Sequence, residues 1–278
     1  MNYDDNKVNL ISDGTLMVDG GYAFGQVPRT EWETQIKPDR RNRVRFAMNS
    51  MVIQTPTANI LVDTGVGNKR TDELKESHHI NGNKLIRNLK EFDLNARDID
   101  IVVLTHLHFD HSGGCTKLNR TGAAVPIFPR ARHLVQKDCW SEAISPNERY
   151  EDAFHSEDFL PLQEKGLIEL VDGDTEIAPG VTLKVADGPS KGHQMVMVNM
   201  GSERIVFAGD LIPTAYHLQA NFIAAADEFP NETLVQKKEL LDMAMKEGWI
   251  IVFGHGQENR SGYVEEWNGR PHLLPKEI

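Results

Sequence analysis

Between positions 105 and 114 the chain reads Thr105-His106-Leu107-His108-Phe109-Asp110-His111-Ser112-Gly113-Gly114, and no other run restricts the fold as strongly. Four side chains able to bind a metal, His106, His108, Asp110 and His111, fall within six residues. That is too many for one face of a strand or a helix. A loop can turn them toward a common centre, and the paired glycines let the chain approach closely before it turns away into a helix. Immediately upstream, Ile101-Val102-Val103-Leu104 is short and continuously apolar, which predicts a strand buried on both faces. The cluster therefore belongs in a loop at a strand's C-terminal end. His106 and His108, two apart, can point the same way, and Asp110 and His111 can then serve a neighbouring ion. Imidazole with carboxylate suits zinc, and also iron, manganese or cobalt, in a site left open for water. Such a cluster buried unpaired would cost free energy, which argues against a purely structural role.

The rest of the chain supplies a layered frame for that loop. Met51–Gln54 and Asn59–Val62 read as strands split by the turn-prone Thr55-Pro56-Thr57, and Asp63-Thr64-Gly65 ends the second. Leu85, Ile86, Leu89 and Phe92 have helical spacing, predicting a helix over 82–92. Strands are expected again at 183–185, 195–198, 204–208 and 249–253, with a helix over 233–246. Strand sets with helices between and after them suggest sheets flanked by helices. No repeat or linker marks a boundary, so the 278 residues are read as a single domain, 1–278. The polar, aromatic-dotted stretch 138–160 reads as an inserted helical lid.

Charge and cysteine content narrow the partners. The net charge of −11 argues against nucleic acid, which needs a concentrated basic surface. The one basic run, Lys37 to Arg45, reads as a solvated surface loop, with an anionic-substrate or subunit contact as the alternative. Two cysteines, Cys115 and Cys139, exclude a disulfide scaffold; Cys115 reads as a small buried residue. No apolar run approaches the length of a membrane span. The acidic start Met1-Asn2-Tyr3-Asp4-Asp5 has no signal-peptide character, so cytoplasmic residence is the default expectation.

His106-x-His108-x-Asp110-His111 resembles the HxHxDH signature of the metallo-β-lactamase superfamily. Three later pairs fit its remaining positions in order: Gly192-His193 before an apolar strand, Gly209-Asp210 closing one, and Gly254-His255 closing another. The resemblance implies a mixed α/β (α+β) fold, the four-layer αββα sandwich. It implies that His106, His108 and His193 bind one divalent ion, that Asp110, His111 and His255 bind a second, and that Asp210 bridges them. Asp63 resembles the first motif and would orient a ligand histidine; as a plain reading it caps a turn. One departure stands out: Gly188-Pro189-Ser190-Lys191-Gly192-His193 keeps only the frame of the loop that usually precedes the fourth histidine.

Two ions, zinc being the first expectation, would lower the pKa of a shared water. The implied reaction is attack of the bridging hydroxide on a carbonyl, with Asp110 passing a proton to the leaving group. Among branches of the superfamily the chain is similar to the quorum-quenching N-acyl-homoserine lactonases, the YtnP-like group, with methyl parathion hydrolase as a cousin. The segments Gly20–Pro28 and Asp210–His217 carry that likeness. It implies a small lactone as substrate and a tyrosine near the metals, for which Tyr216 is the candidate and His217 the rival. Phe24, Trp32, Trp140, Phe154 and Phe222 are candidates for an apolar wall. Family habit suggests a homodimer, with the region of Phe24 and Trp32 as contact. The runner-up is a phosphotriester or phosphodiester hydrolase, which would want cations near the metals, and Lys191 is the one near a ligand in sequence. A non-catalytic binding protein is the third reading, disfavoured by the complete ligand set.

Overall fold

The computed structural model describes Tyr3 and residues 5–278. The acidic start read above includes Met1, Asn2 and Asp4, which lie outside the described residues. The first half runs β1 (Lys7–Asp19), the short helices α1 (Gly20–Phe24) and α2 (Arg29–Trp32), β2 (Arg43–Gln54) and β3 (Asn59–Val62). Helices α3 (Thr71–His78) and α4 (Leu85–Leu89) lead to β4 (Ile101–Val103) and the one-turn helix α5 (Phe109–Ser112). A small hairpin, β5 (Thr116–Leu118) and β6 (Ala124–Pro126), precedes β7 (Arg132–Gln136), α6 (Lys137–Ala143), α7 (Ser156–Glu164) and β8 (Ile168–Val171). The second half holds β9 (Thr175–Ala178), β10 (Val181–Val185), β11 (Gln194–Met200) and β12 (Glu203–Phe207). It closes with α8 (Pro230–Glu247), β13 (Ile250–Val252), β14 (Ser261–Trp267) and β15 (Arg270–Pro275).

The strands form a six-stranded sheet, β1-β2-β3-β4-β7-β8, and a seven-stranded sheet, β15-β14-β13-β12-β11-β10-β9. Side-chain alternation explains why the apolar runs are continuous. Met51, Ile53, Ile60, Val62, Ile101 and Val103 pack against the second sheet. Val52, Leu61 and Val102, the intervening residues, pack with Leu85, Leu89, Trp140, Phe159 and Leu162 of the helices. Across the molecule Val206 and Ile251 meet Leu240, Leu241 and Ala244 of α8. The result is the αββα sandwich, in which each fully buried aliphatic side chain contributes about 1.5–3 kcal/mol.

Parallel pairing sets the position of the site. β3 pairs parallel with β4, and β12 pairs parallel with β13. Parallel neighbours need a crossover connection, supplied by α3 and α4 in one sheet and α8 in the other. The loops leaving their C-terminal ends therefore lie on one edge of the sandwich, where α/β sheets bind ligands.

Several expectations are adjusted by tertiary contacts. The helix expected over 82–92 is only Leu85–Leu89 plus a tighter turn at Lys90–Phe92. Its start is set by Asp13, whose Oδ1 accepts from the Lys84 and Leu85 amides at 2.8 and 3.0 Å. β2 begins at Arg43, well before Met51, because it pairs along the whole length of β1. β1 itself bulges between Ser12 and Gly14. The stretch 138–160 carries α6 and the start of α7, but Trp140, Phe154 and Phe159 anchor it into the outer layer. No described helix is long and apolar enough to cross a membrane.

Candidate metal centre and substrate cavity

Each strand end delivers what its local sequence dictates. β4 stops at Val103, and the chain then carries His106, His108, Asp110 and His111 through a loop into α5. Gly113 and Gly114 follow so that Val66 and Thr64 can pass: a Cβ on Gly114 would lie 2.1 Å from the Thr64 carbonyl oxygen. His193 sits just before β11, Asp210 just after β12, and His255 just after β13. Gly209 has φ +54°, and a Cβ there would lie 2.4 Å from His193 Nε2. Only glycine allows this turn to place Asp210 beside that ring.

The imidazoles are held by their Nδ1 atoms. Asp63 is buried at the end of β3; its Oδ1 accepts from the Thr105 amide at 2.8 Å and its Oδ2 from the Thr105 hydroxyl at 2.9 Å. Oδ2 also lies 2.8 Å from His111 Nδ1. A carboxylate only accepts, so His111 Nδ1 carries the proton and Nε2 presents its lone pair to the site. The Thr105 hydroxyl spends its hydrogen on Asp63, so at 3.0 Å it accepts from His106 Nδ1. His193 Nδ1 donates to the Ala186 carbonyl at 3.1 Å, and His255 Nδ1 to the Ala47 carbonyl at 2.8 Å. Four histidines thus aim Nε2 inward, each fixed from behind as metal-binding histidines are.

The Nε2 and carboxylate atoms converge. His111 Nε2 lies 3.4 Å from Asp210 Oδ1 and 3.2 Å from His255 Nε2. His106 Nε2 lies 3.6 Å from Asp210 Oδ2, and Asp110 reaches His255 Nε2 at 3.8 Å. Two groups of donor atoms, His106 with His111 and Asp210, and Asp110 with His111 and His255, each lie within 4.8 Å. The remaining expected ligands stand at the rim of the first group. The His108 and His193 rings lie 4.4 and 5.4 Å from that of His106. His193 Nε2 also accepts the Asp210 amide at 3.0 Å.

The charges of the cluster favour a cation. Burial, reinforced by neighbouring histidines, holds His106 well below the usual histidine value, and burial likewise lowers His108. Burial pushes His193 down to about 4. His111 is lowered by burial, but Asp210, Asp110 and Asp63 outweigh it and leave it well above the usual value. Burial raises Asp210, yet His111 and His255 pull it well below the carboxylate range. His106 Nε2 and Asp210 Oδ1 are buried with no hydrogen-bond partner. Imidazoles held neutral at His106, His108 and His193, with His111 and His255 drawn to the carboxylates aimed at the same point, fit a divalent ion, and the two overlapping groups fit a pair.

A cavity of about 810 Å³ opens onto this cluster. Its wall includes His108, Asp110, Asp210 and His255 with Leu16, Val18, Phe46, Phe109, Pro213 and Ala224. The aromatic wall expected from the sequence is corrected here. Phe24, Trp32 and Phe222 form a sealed cluster with rings 5.1 and 5.9 Å apart. Trp140 and Phe154 are likewise buried, and Phe154 packs against the His108 ring at 4.9 Å. Since Phe24 and Trp32 are buried within one chain, neither ring can form a face for a second copy.

Tyr216 and His217 are placed differently from one another. Tyr216 lines a second recess of about 270 Å³ together with Lys37, Thr214, Phe46 and His255, the last two of which also line the main cavity. His217 is fully buried, bonded to Thr214 Oγ1 at 2.8 Å and the Ala23 carbonyl at 2.9 Å, and stacked on Phe24. With both nitrogens engaged and burial holding it down to about 3, it ties its loop to α1. Tyr22, 52% exposed, lines the main cavity together with Asp110 and Asp210. Desolvation, then Asp110, Asp210 and Asp227, push its phenol above the usual tyrosine value. Tyr22 sits in α1, inside the segment Gly20–Pro28 that carried only the family likeness in the sequence.

The basic run is likewise not wholly a solvated loop. Arg41 and Arg43 line the cavity, joined by Arg149 from the segment between α6 and α7. Arg43 is pinned to Asp39 at 2.7 Å. Lys191, by contrast, points to Asp138 at 3.7 Å in an exposed pair. Cys115 is buried, and its thiol is pushed up to about 12 by burial, so it is no nucleophile.

Comparison with known proteins places this arrangement. A crystal structure of a probable metal-dependent hydrolase from Staphylococcus aureus superposes with TM-score 0.89 at 27% identity, covering 100% of this chain and 99% of that one. The dizinc quorum-quenching lactonase AidC, solved with a product, superposes with TM-score 0.82 at 17% identity over 100% and 97% of the chains. An N-acyl homoserine lactonase of Bacillus cereus is 26% identical over 228 residues, 76% of this chain and 82% of the relative. The family profile described as the metallo-beta-lactamase superfamily matches residues 44–255. That span runs from β2 to the histidine that closes the cluster, and with the layered sheets it establishes that the chain belongs to the metallo-β-lactamase superfamily.

Proposed function

We propose that the protein is a dinuclear metal-dependent lactonase acting on N-acyl-homoserine lactone-like substrates. The reading is supported by membership of the metallo-β-lactamase superfamily and by likeness to the N-acyl homoserine lactonase of Bacillus cereus. The observation that carries the reading is the convergence of His106, His111 and His255 with Asp110 and Asp210, with His193 Nε2 against the Asp210 amide, under one cavity with an apolar wall. His106, His108 and His193 would hold one ion, Asp110, His111 and His255 the other, with Asp210 between them. When bound, divalent ions, zinc first and otherwise iron, manganese or cobalt, supply hydroxide near neutral pH and polarise a carbonyl.

The chain's own residues do the rest. Asp63 keeps His111 in the tautomer with Nε2 free. Asp110, half-buried on the cavity wall, is placed to carry a proton to the leaving alkoxide. Tyr22, on the wall of the main cavity, is placed to donate to a substrate oxygen in the role expected of Tyr216. Leu16, Val18, Phe46 and Phe109 would receive an acyl chain. The chain is a single domain in this reading, and the segment between α6 and α7 acts as the cavity's cover.

One observation favours a second reading, a phosphate-ester hydrolase: Arg41, Arg43 and Arg149 line the same cavity. The deciding experiment follows proton release from a homoserine-lactone series on zinc-loaded protein and on His108→Ala. Turnover that depends on acyl length and disappears in the variant supports the lactonase. Inactivity on every lactone, with two metals bound and turnover of a phosphate triester, would replace it with the second reading.

A further inference from the structure

Asp227 is a buried carboxyl, 6% exposed, on the wall of the cavity that also holds Asp110 and Asp210. It is not a member of either donor group at the metal centre. Its Oδ2 accepts the Thr233 hydroxyl at 2.5 Å, and Thr233 is itself sealed in the first turn of α8. The segment carrying it is pinned from behind by Lys237, whose buried ammonium donates to the carbonyl of Phe222 at 2.5 Å. The carboxyl is thus immobilised through one oxygen. Its Oδ1 has no hydrogen-bond partner among the described residues. That oxygen is not among the fully buried unpartnered atoms, so it is open to the cavity and free to accept from a bound molecule. Beside it Ala224, Ala225 and Ala226 contribute small apolar side chains to the same wall.

We infer that Asp227 Oδ1 accepts a hydrogen bond from the N–H of a secondary amide on the substrate's acyl arm, making Asp227 a specificity residue. This rests on the lactonase reading for the identity of the arm. It selects among lactones those with a hydrogen-bond donor between the ring and an apolar tail. The electrostatic setting agrees with an acceptor that ionises around neutral pH. Burial pushes the carboxyl up to about 7, Asp210 adds to this, and the Thr233 hydroxyl and Lys237 oppose it.

The test is a binding cycle that needs no turnover. Zinc-loaded wild type and Asp227→Ala are titrated calorimetrically at pH 8 with N-hexanoyl-L-homoserine and with its ester analogue, in which an oxygen replaces the amide N–H without added bulk. Wild type should prefer the N–H compound by about tenfold or more, the size of a hydrogen bond to a charged group. Asp227→Ala should bind both alike. If Asp227→Ala does not fold, Asp227→Asn replaces it and should show a reduced preference, since an amide oxygen is a weaker acceptor. Equal binding of both compounds by wild type, or full preference in the variant, overturns the assignment. Separate assay of wild type for ring opening of N-hexanoyl-L-homoserine lactone, which carries the amide N–H, tests the lactonase reading itself. Failure there with the preference intact would sink the activity and keep the amide contact.

Discussion

Asp63 Oδ2 lies 2.8 Å from His111 Nδ1, with both side chains almost fully buried. Asp63 adopts φ +56°, a backbone position that asparagine also tolerates. Asp63→Asn should therefore keep the fold while losing the charged partner of His111. Metal affinity, measured by competition with a chromophoric chelator, should fall about 10- to 100-fold. Unchanged affinity would show that His111 needs no such support.

Tyr22 lines the main cavity and Tyr216 does not. In the proposed reaction Tyr22→Phe should lower kcat about tenfold with metal content unchanged. Tyr216→Phe should leave kcat and KM within about twofold of wild type, a change too small to register as a lost hydrogen bond. The reverse pattern would restore the assignment first made from the sequence.

A methyl group at Gly209 would stand 2.4 Å from His193 Nε2, on a backbone with φ +54°. Gly209→Ala should displace Asp210 and His193 together. Stability should drop by about 1–3 kcal/mol, and bound metal per chain should fall in atomic-emission analysis. Full metal occupancy in a stable variant would show that the turn can relax.

Lys69 reaches Asp158 Oδ1 at 2.8 Å, with both side chains at most 3% exposed. The same ammonium donates to the carbonyls of Gly113 and Thr116, so it ties α7 to the loop that follows the metal-binding turn. Asp158 Oδ2 is already buried without a partner. Lys69→Met would strand that carboxyl, at a cost of about 3–5 kcal/mol in urea unfolding. Lys69→Met with Asp158→Leu should recover most of the loss.

Burial pushes Asp227 from the usual 3.8 up to about 7. The native state therefore binds this proton more tightly than the unfolded chain. Its contribution is complete below about pH 4 and is lost as pH rises through 7, a change on the order of 3–4 kcal/mol. Asp227→Asn should flatten the decline of the urea midpoint between pH 5 and 8. Parallel curves for variant and wild type would mean that Asp227 titrates normally.

The convergence of the candidate donors was legible because they are adjacent in sequence or sit at the ends of apolar runs. His106, His108, Asp110 and His111 share one loop, and His193, Asp210 and His255 each adjoin a strand whose apolar character is plain. The layers were legible for the same reason, since continuous apolar strands imply cover on both faces. The sequence could not place residues whose roles depend on distant partners. Asp13 sets the start of α4 from across the chain. Tyr216 and His217 follow Asp210 closely, yet the turn that starts at Thr214 carries one into a side recess and seals the other against Ala23. Tyr22, Arg41, Arg149 and Asp227 come from four separate segments and meet only at the cavity. Local pattern determines which elements form and which atoms can bind a metal. Which side chains face the same empty space is decided by the packing of β1, β2 and the connecting loops, through contacts that no short stretch of sequence contains.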